Sequence, residues 1–223
     1  MGLPYYRGEK CKECNSPVPV FALGHFKPKG EGEDEFSKKC MGFYLYGYSK
    51  SYFLDRLVEI YHLRNDIPFD MVCLCPTSMQ SEFNEHMKEL TNEMAKKLNI
   101  PYKPILKRIR ETSKQHELKT KEERIGNVKG SMAISDEYAG ALAGKNIIVV
   151  DNLSTSGATV QEIHKLIIHE NKANSCIFLC LGLGSKAKDA DFDINPNFKG
   201  KFSTIIHDWH WPKVPAEERI KKK

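Results

Sequence analysis

The chain has 223 residues, enough for one α/β domain with an appendage and for a sizeable buried core. Its 34 Lys and Arg against 29 Asp and Glu leave a net charge of +5, which suits an anionic small substrate and does not by itself argue for nucleic acid. The longest apolar run falls far short of the roughly 20 residues that span a bilayer. The opening MGLPYYRGEK carries no apolar signal core, and Tyr6 stands where a lipidation signal needs Ser or Thr. No membrane partner and a cytoplasmic location are therefore expected. Of the seven cysteines, Cys73, Cys75, Cys176 and Cys180 lie in apolar, strand-like runs and read as buried small hydrophobes of a reducing compartment.

In chain order, residues 1–40 read as a polar, Gly- and Pro-rich appendage. Cys11 and Cys14 have Cys-x-x-Cys spacing, and a tetrahedral Zn²⁺ site needs two more ligands, for which Cys40 and His25 are available. The usual second Cys-x-x-Cys pair is absent, so structural zinc and unpaired thiols both stand open. Residues 27–39 are charged and Gly-rich and are expected to be a flexible excursion. The aromatic stretch 43–48 predicts a strand. Residues 52–63 predict an amphipathic helix through Phe53, Leu54, Leu57, Val58, Ile60 and Tyr61. A short apolar strand at 71–75 ends at Pro76-Thr77-Ser78. Helical spacing follows at 80–98 through Phe83, Met87, Leu90, Met94 and Leu98, and 100–106 can start another strand. Strand, helix, strand, helix, strand points to a parallel sheet with right-handed crossovers.

Residues 107–130 are dense in charge with little periodicity, which reads either as a solvated surface segment or as a lid over a site. Apolar character returns at 131–134, and a loop with Gly140 and Gly144 follows. Ile147, Ile148, Val149 and Val150 predict a buried parallel strand that runs straight into Asp151. Residues 154–159, STSGAT, are small and hydroxylated, and 160–170 have helical spacing. Backbone N–H groups at a helix start, with hydroxyls beside them, accept phosphate; an acid at the strand end holds sugar hydroxyls or a water on Mg²⁺. The unit therefore suits a phosphorylated sugar, against the plainer reading of a capped loop. It has neither the Gly-Lys-Ser/Thr of a Walker loop nor the three spaced glycines of a dinucleotide site. Residues 175–181 predict another buried strand and 202–206 a last short one. His207, Asp208 and His210 alternate direction on an extended chain and read as a polar strand end.

The stretch IIVVDNLSTSGAT resembles the PRPP-binding signature of type I phosphoribosyltransferases, with Asn152 where that signature has a second acid. Arg110, Thr112, Gln115, Leu118, Arg124, Asn127, Val128 and Gly130 follow the order R-x-T-x-x-Q-x-x-L and R-x-x-N-V-x-G. Together the two motifs look like the ComF family of phosphoribosyltransferases, associated with competence and DNA uptake, in which a zinc ribbon precedes the transferase domain. The likeness runs from about residue 43 to about residue 181. It implies an α/β type I phosphoribosyltransferase fold over residues 43–223: a central, mainly parallel sheet flanked by helices. Residues 1–42 would be a small Cys-containing appendage, a degenerate zinc ribbon contributing to a hood.

The implied activity is transfer of ribose 5-phosphate from PRPP, with Mg²⁺, to a nitrogen acceptor, releasing pyrophosphate; a homodimer is common for the fold. By the same resemblance Thr155, Ser156, Gly157, Ala158 and Thr159 hold the 5-phosphate. Asp151 and Asn152 hold the ribose, with Asp151 reaching Mg²⁺ directly or through water. Thr77, Ser78, Lys107 and Arg108 meet the pyrophosphate, and Arg110, Lys114, Gln115 and Arg124 belong to a loop that closes over the site. Phe202, Trp209 and Trp211 lie in the C-terminal part of the hood, where core packing and surface covering compete with stacking on a flat acceptor. Besides Asn152, the chain departs from the family at Cys75-Pro76-Thr77-Ser78, in place of Pro-x-Pro, and at Glu82-Phe83-Asn84-Glu85, in place of Arg-Gly-Phe-Asn-Gln. Two alternatives follow: a catalytically weak PRPP- or nucleotide-sensing regulator on the same fold, or a nucleic-acid-associated accessory protein using the Cys-x-x-Cys segment and the basic tail.

Overall fold

The computed structural model describes residues 5–11, 17–30, 32–79, 83–113, 117–184, 193–195 and 200–203. Eight strands are described: β1 (Tyr5–Lys10), β2 (Pro17–Phe26), β3 (Met71–Leu74), β4 (Leu106–Arg108), β5 (Met132–Ile134), β6 (Asn146–Ser154), β7 (Ser175–Gly184) and β8 (Asp193–Asn195). The α-helices are α1 (Glu35–Tyr46), α2 (Lys50–Arg64), α3 (Glu85–Leu98), α4 (Lys121–Val128) and α5 (Ala158–His164), the last continued by a π-helical stretch, Lys165–Glu170. Six strands make one sheet in the order β3-β6-β7-β2-β1-β8; β4 and β5 pair separately. Strands β3, β6, β7 and β2 run parallel, whereas β1 and β8 are antiparallel additions at one side. The architecture is thus α/β, with a central, mainly parallel sheet flanked by helices.

The aliphatic run of β6 is buried on both sides, as a parallel strand between helical layers must be. Ile148 and Val150 face Phe43, Phe53, Leu57, Leu90 and Met94 from α1, α2 and α3. Ile147 and Val149 face Val160, Ile163 and Ile167 from α5 and its continuation. Chain direction then sets where a crevice can form. From β3 the chain passes through α3 to Tyr102, which bridges Val72 in parallel on the outer side of β3. It returns through β4 and β5 to β6, on the other side of β3. Strand order therefore reverses between β3 and β6, and the carboxyl ends of two such strands are where an open α/β sheet leaves room for a ligand.

Several sequence expectations are corrected. Residues 43–48 are not a strand: Phe36, Cys40 and Phe43 recur at helical spacing and face the core, and α1 ends at Gly47, whose φ of 74° supplies the left-handed cap. The polar appendage contains a ten-residue strand, β2, in which Val18, Val20, Phe21 and Ala22 are fully buried against β7. Its alternation of small and large apolar residues between prolines conceals a strand sandwiched by two layers. The division at 42/43 falls inside α1. The strand expected at 100–106 is only the Tyr102 bridge, with β4 following as part of a separate ribbon. The charged 107–130 segment contains α4, started by a reciprocal capping box between Thr120 and Glu123. Phe202 and Ser203 are helical rather than extended, and Phe202 packs on Phe21 and Phe69 at centroid distances of 5.0 and 5.9 Å. Residues 204–206, Trp209, Trp211 and the His207, Asp208, His210 cluster lie outside the described residues, as do Cys14, Glu82, Lys114 and Gln115. None of the described helices is long and apolar enough to cross a membrane.

Candidate functional site

The site is built from the end of β6 outward. Strand β6 outruns β3, whose last bond to it is from the Cys75 N–H to the Val150 carbonyl. Beyond that point side chains serve the backbone: Asp151 Oδ1 accepts the Asn152 N–H at 2.8 Å, and Asn152 Oδ1 accepts the Leu153 N–H at 2.7 Å. Burial of the Asp151 carboxyl pushes its pKa up to about 6. The Asn152 N–H, the positive charge of Arg108 and the Cys75 thiol oppose that shift without cancelling it. A second side chain joins from α1. The Tyr44 phenol is held above its ordinary range by burial first and by the Asp151 charge second. The Asn84 side chain anchors this end of α1 by donating to the Tyr44 carbonyl at 3.0 Å, while its oxygen caps α3 through the Met87 N–H.

The turn after β6 is tight. Gly157 has φ 79°, a conformation that glycine adopts without steric cost, and its carbonyl accepts the Gln161 N–H to open α5. Ser154, Ser156 and Ala158 are buried, and Thr155 and Thr159 are half-buried. Thr155 lies against the end of β7 so closely that a Cβ on Gly184 would stand 2.4 Å from Thr155 Cγ2. The five residues expected at a 5-phosphate thus form the turn 155–157 and the first two residues of α5, two residues beyond Asn152.

On the β3 side, the 76–78 loop is held from the ribbon. Arg108, only 4% exposed, donates through Nε to the Thr77 carbonyl at 2.8 Å, through Nη2 to the Pro76 carbonyl at 3.4 Å and through Nη1 to Ser131 Oγ at 2.6 Å. The Thr112 N–H donates to the Ser78 carbonyl at 3.0 Å. Lys107 is the neighbour that the geometry separates. Alternation along β4 turns it the other way, and its Nζ binds both oxygens of Asp136 at 2.8 Å.

The inserted segment between β4 and β5 organises itself. Arg110 donates to the carbonyls of Asn127 and Lys129 at 3.0 and 3.1 Å, Arg124 to the Leu118 carbonyl at 2.8 and 3.1 Å, and Asn127 exchanges two bonds with the Ser113 backbone. Val128 is buried, and Gly130, at φ 64°, donates its N–H to the buried Glu162 of α5 at 2.7 Å. The described members of the R-x-T and N-V-x-G pattern therefore shape and dock the segment. Arg110 and Arg124 make these bonds inside it.

Among the candidate zinc ligands, Cys11 packs in the layer on the α5 side of the sheet and Cys40 in the layer under α1, and burial pushes the Cys40 thiol up to about 12. Among the described residues no group of three or more His, Cys, Asp or Glu side chains is placed to hold a metal ion. The sequence reading missed Tyr44 and Asn84. Their signal was the i, i+4 spacing of α1 hidden in an aromatic run, and the N-cap Asn before a helix.

No protein-family model matches the chain, and no curated protein matches it in sequence. Among solved structures, the allosteric regulatory enzyme of purine biosynthesis is similar at 17% identity and a TM-score of 0.38, over 59% of this chain and 25% of that one. The adenine phosphoribosyltransferase from Leishmania donovani is similar at 14% identity and a TM-score of 0.37, over 62% of this chain and 66% of that one. Both likenesses are partial: the chain spans a quarter of the first protein and slightly under two thirds of the second.

Proposed function

We propose that the chain is a ComF-like phosphoribosyltransferase of the type I fold, which binds PRPP with Mg²⁺ and transfers ribose 5-phosphate to a nitrogen acceptor with release of pyrophosphate. The observation that carries this reading is the Asp151 carboxyl at the strand-order reversal, with the 155–159 turn on its own strand and the 76–78 loop at the end of the neighbouring one. PRPP has phosphate at both ends of a sugar. It calls for two anion-binding turns with an acceptor of hydroxyl hydrogen bonds between them, and the 155–159 segment, the 76–78 loop and Asp151 are assigned those roles in this reading.

In this reading Thr155, Ser156, Gly157, Ala158 and Thr159 hold the 5-phosphate through backbone N–H groups and hydroxyls. Asp151 accepts from the ribose hydroxyls, Asn152 assists, and Thr77 and Ser78 face the pyrophosphate. The donor set fits Mg²⁺ as a minimal protein contribution: Asp151 supplies one carboxylate, directly or through water, and substrate oxygens supply the rest. The bound ion would neutralise charge on the departing pyrophosphate. The chain's own work is to align the reacting carbon with the acceptor and to exclude water. In this reading Tyr44 of α1, whose phenol feels the Asp151 charge, would cover the acceptor.

One observation favours a second reading, a PRPP-sensing regulator of the same fold: Asn152 brings no charge, and its amide oxygen is bonded to the Leu153 N–H. Titration calorimetry with PRPP and Mg²⁺, followed by a pyrophosphate-release assay over nucleobases and amines, separates the two. Binding with release supports the transferase, and binding without release supports the sensor. Asp151→Ala is expected to weaken PRPP binding by about a hundredfold or more, the scale of losing hydrogen bonds to a charged acceptor. Unchanged affinity in that variant would remove the ribose site from Asp151.

A further inference from the structure

Resting on the phosphoribosyl reading above, we infer that Arg108 is a positioning residue, a clamp that sets the peptide planes of the 76–78 loop from behind rather than a cation that touches the bound pyrophosphate. From its place on β4, its guanidinium bonds to two other segments: the Pro76 and Thr77 carbonyls after β3, and Ser131 beside β5. Ser131 Oγ in turn donates to the Val128 carbonyl at 2.6 Å, which ties the clamp to the end of α4. With 4% of the residue exposed, an anion from solvent cannot reach the guanidinium without displacing the loop.

The consequence for an anion lies in the backbone. In a trans peptide the C=O and the following N–H share a plane and point opposite ways. No cis peptide occurs among the described residues. Drawing the Pro76 and Thr77 carbonyls onto one guanidinium therefore turns the N–H groups of Thr77 and Ser78 away from it together. Two successive N–H groups facing one way make a concave anion-binding surface. The Thr112 N–H on the Ser78 carbonyl and the Met79 N–H on Thr77 Oγ1 at 3.3 Å continue the same set of the loop. Arg suits this role because its planar fork spans two carbonyls at once, which a lysine ammonium cannot reproduce. Thr77 and Ser78 thus take pyrophosphate with their backbone, and the positive charge of Arg108 remains behind them, near Asp151 and Cys75.

The two roles separate by substitution. Inorganic pyrophosphate and ribose 5-phosphate are titrated calorimetrically into the full chain and into Arg108→Lys, Arg108→Gln and Ser131→Ala, each at two salt concentrations. A clamp predicts that Lys fails as Gln does, both weakening pyrophosphate by about tenfold with the salt dependence unchanged, because orientation is lost in each. It also predicts ribose 5-phosphate affinity within about twofold of wild type, and weaker pyrophosphate in Ser131→Ala although the Arg108 charge is intact. A direct contact predicts the reverse: rescue by Lys, a flattened salt dependence in Gln and no effect of Ser131→Ala, and that pattern would overturn the clamp. If wild type binds neither probe, the phosphoribosyl reading falls. The clamp is then judged on ligand-free protein, where Thr77 and Ser78 amide resonances must shift in Arg108→Lys while those of 155–159 do not; unmoved amides would refute it.

Discussion

At the residue scale, Asp151 carries a charge whose burial costs stability. Its carboxyl is raised from 3.8 to about 6 by desolvation, so the folded state holds the proton over a window in which the unfolded chain has lost it. Stability from this group is greatest below about pH 4, declines as pH rises through 4 to 6, and is at its minimum above about 6. The cost at neutral pH is about 3 kcal/mol, from some two units at 1.36 kcal/mol each. Asp151→Asn is accordingly expected to stabilise the protein at pH 7.5 by about 1–3 kcal/mol in urea unfolding, with the gain shrinking toward pH 4. PRPP affinity should run the other way in wild type, falling as pH drops through about 6 and the carboxylate is lost. A pH-independent difference between variant and wild type would show that desolvation of Asp151 is not the cause. Gly184 makes a second residue-scale case, because a methyl there meets Thr155 at 2.4 Å. Gly184→Ala should cost about 1–3 kcal/mol by overpacking and weaken ribose 5-phosphate through a displaced Thr155.

At the scale of elements, the site is the meeting of β6 and α5 with the loop after β3, and the inserted 109–131 segment braces it. That segment meets α5 in a bond from the Gly130 N–H to the buried Glu162 carboxylate. Glu162→Ala would leave this N–H without its acceptor, at about 1–3 kcal/mol. Amide exchange across residues 117–131 should then accelerate while exchange in β6 and β7 keeps its rate; uniform acceleration would mean global destabilisation instead. The legible parts of these elements had strong periodicity: α2, α3, β3, β6 and β7 were visible as apolar runs or helical faces. α1 was not, because Phe43, Tyr44, Tyr46 and Tyr48 satisfy strand propensity locally and only the core-facing Phe36, Cys40 and Phe43 settle the period. The role of Arg110 and Arg124 was hidden for another reason: a charge in a polar segment looks the same whether it faces solvent or binds a carbonyl.

At the scale of the whole molecule, the described residues of 1–42 are bound up with the rest. β2 adds Val18, Val20, Phe21 and Ala22, fully buried, to the sheet beside β7, and apolar side chains of Val and Phe size contribute roughly 1.5–3 kcal/mol each on full burial. A chain beginning at residue 43 removes that strand and most of α1, and should lose near-UV circular dichroism and a cooperative thermal transition. A cooperatively folded 43–223 fragment would show that this part of the chain stands alone. Residues 202 and 203 are pinned as well: Ser203 bonds Asp66, and Phe202 sits among Phe21, Tyr61 and Phe69, so of the roles open to its ring the structure shows core packing.

The sequence alone determined the strand–acid–turn–helix unit at 147–170, because four consecutive aliphatic residues, one carboxylate and a run of small hydroxylated residues are local signals that need no partner to be read. It also determined the parallel α/β class, through the alternation of apolar runs with helical spacing. The tertiary structure alone decided that Lys107 and Arg108 part company, that Arg108 is buried behind the 76–78 loop, that Tyr44 approaches Asp151, and that β2 belongs to the sheet. Those facts depend on which strands become neighbours and on where a long side chain finds carbonyls distant in sequence, and no local pattern encodes either.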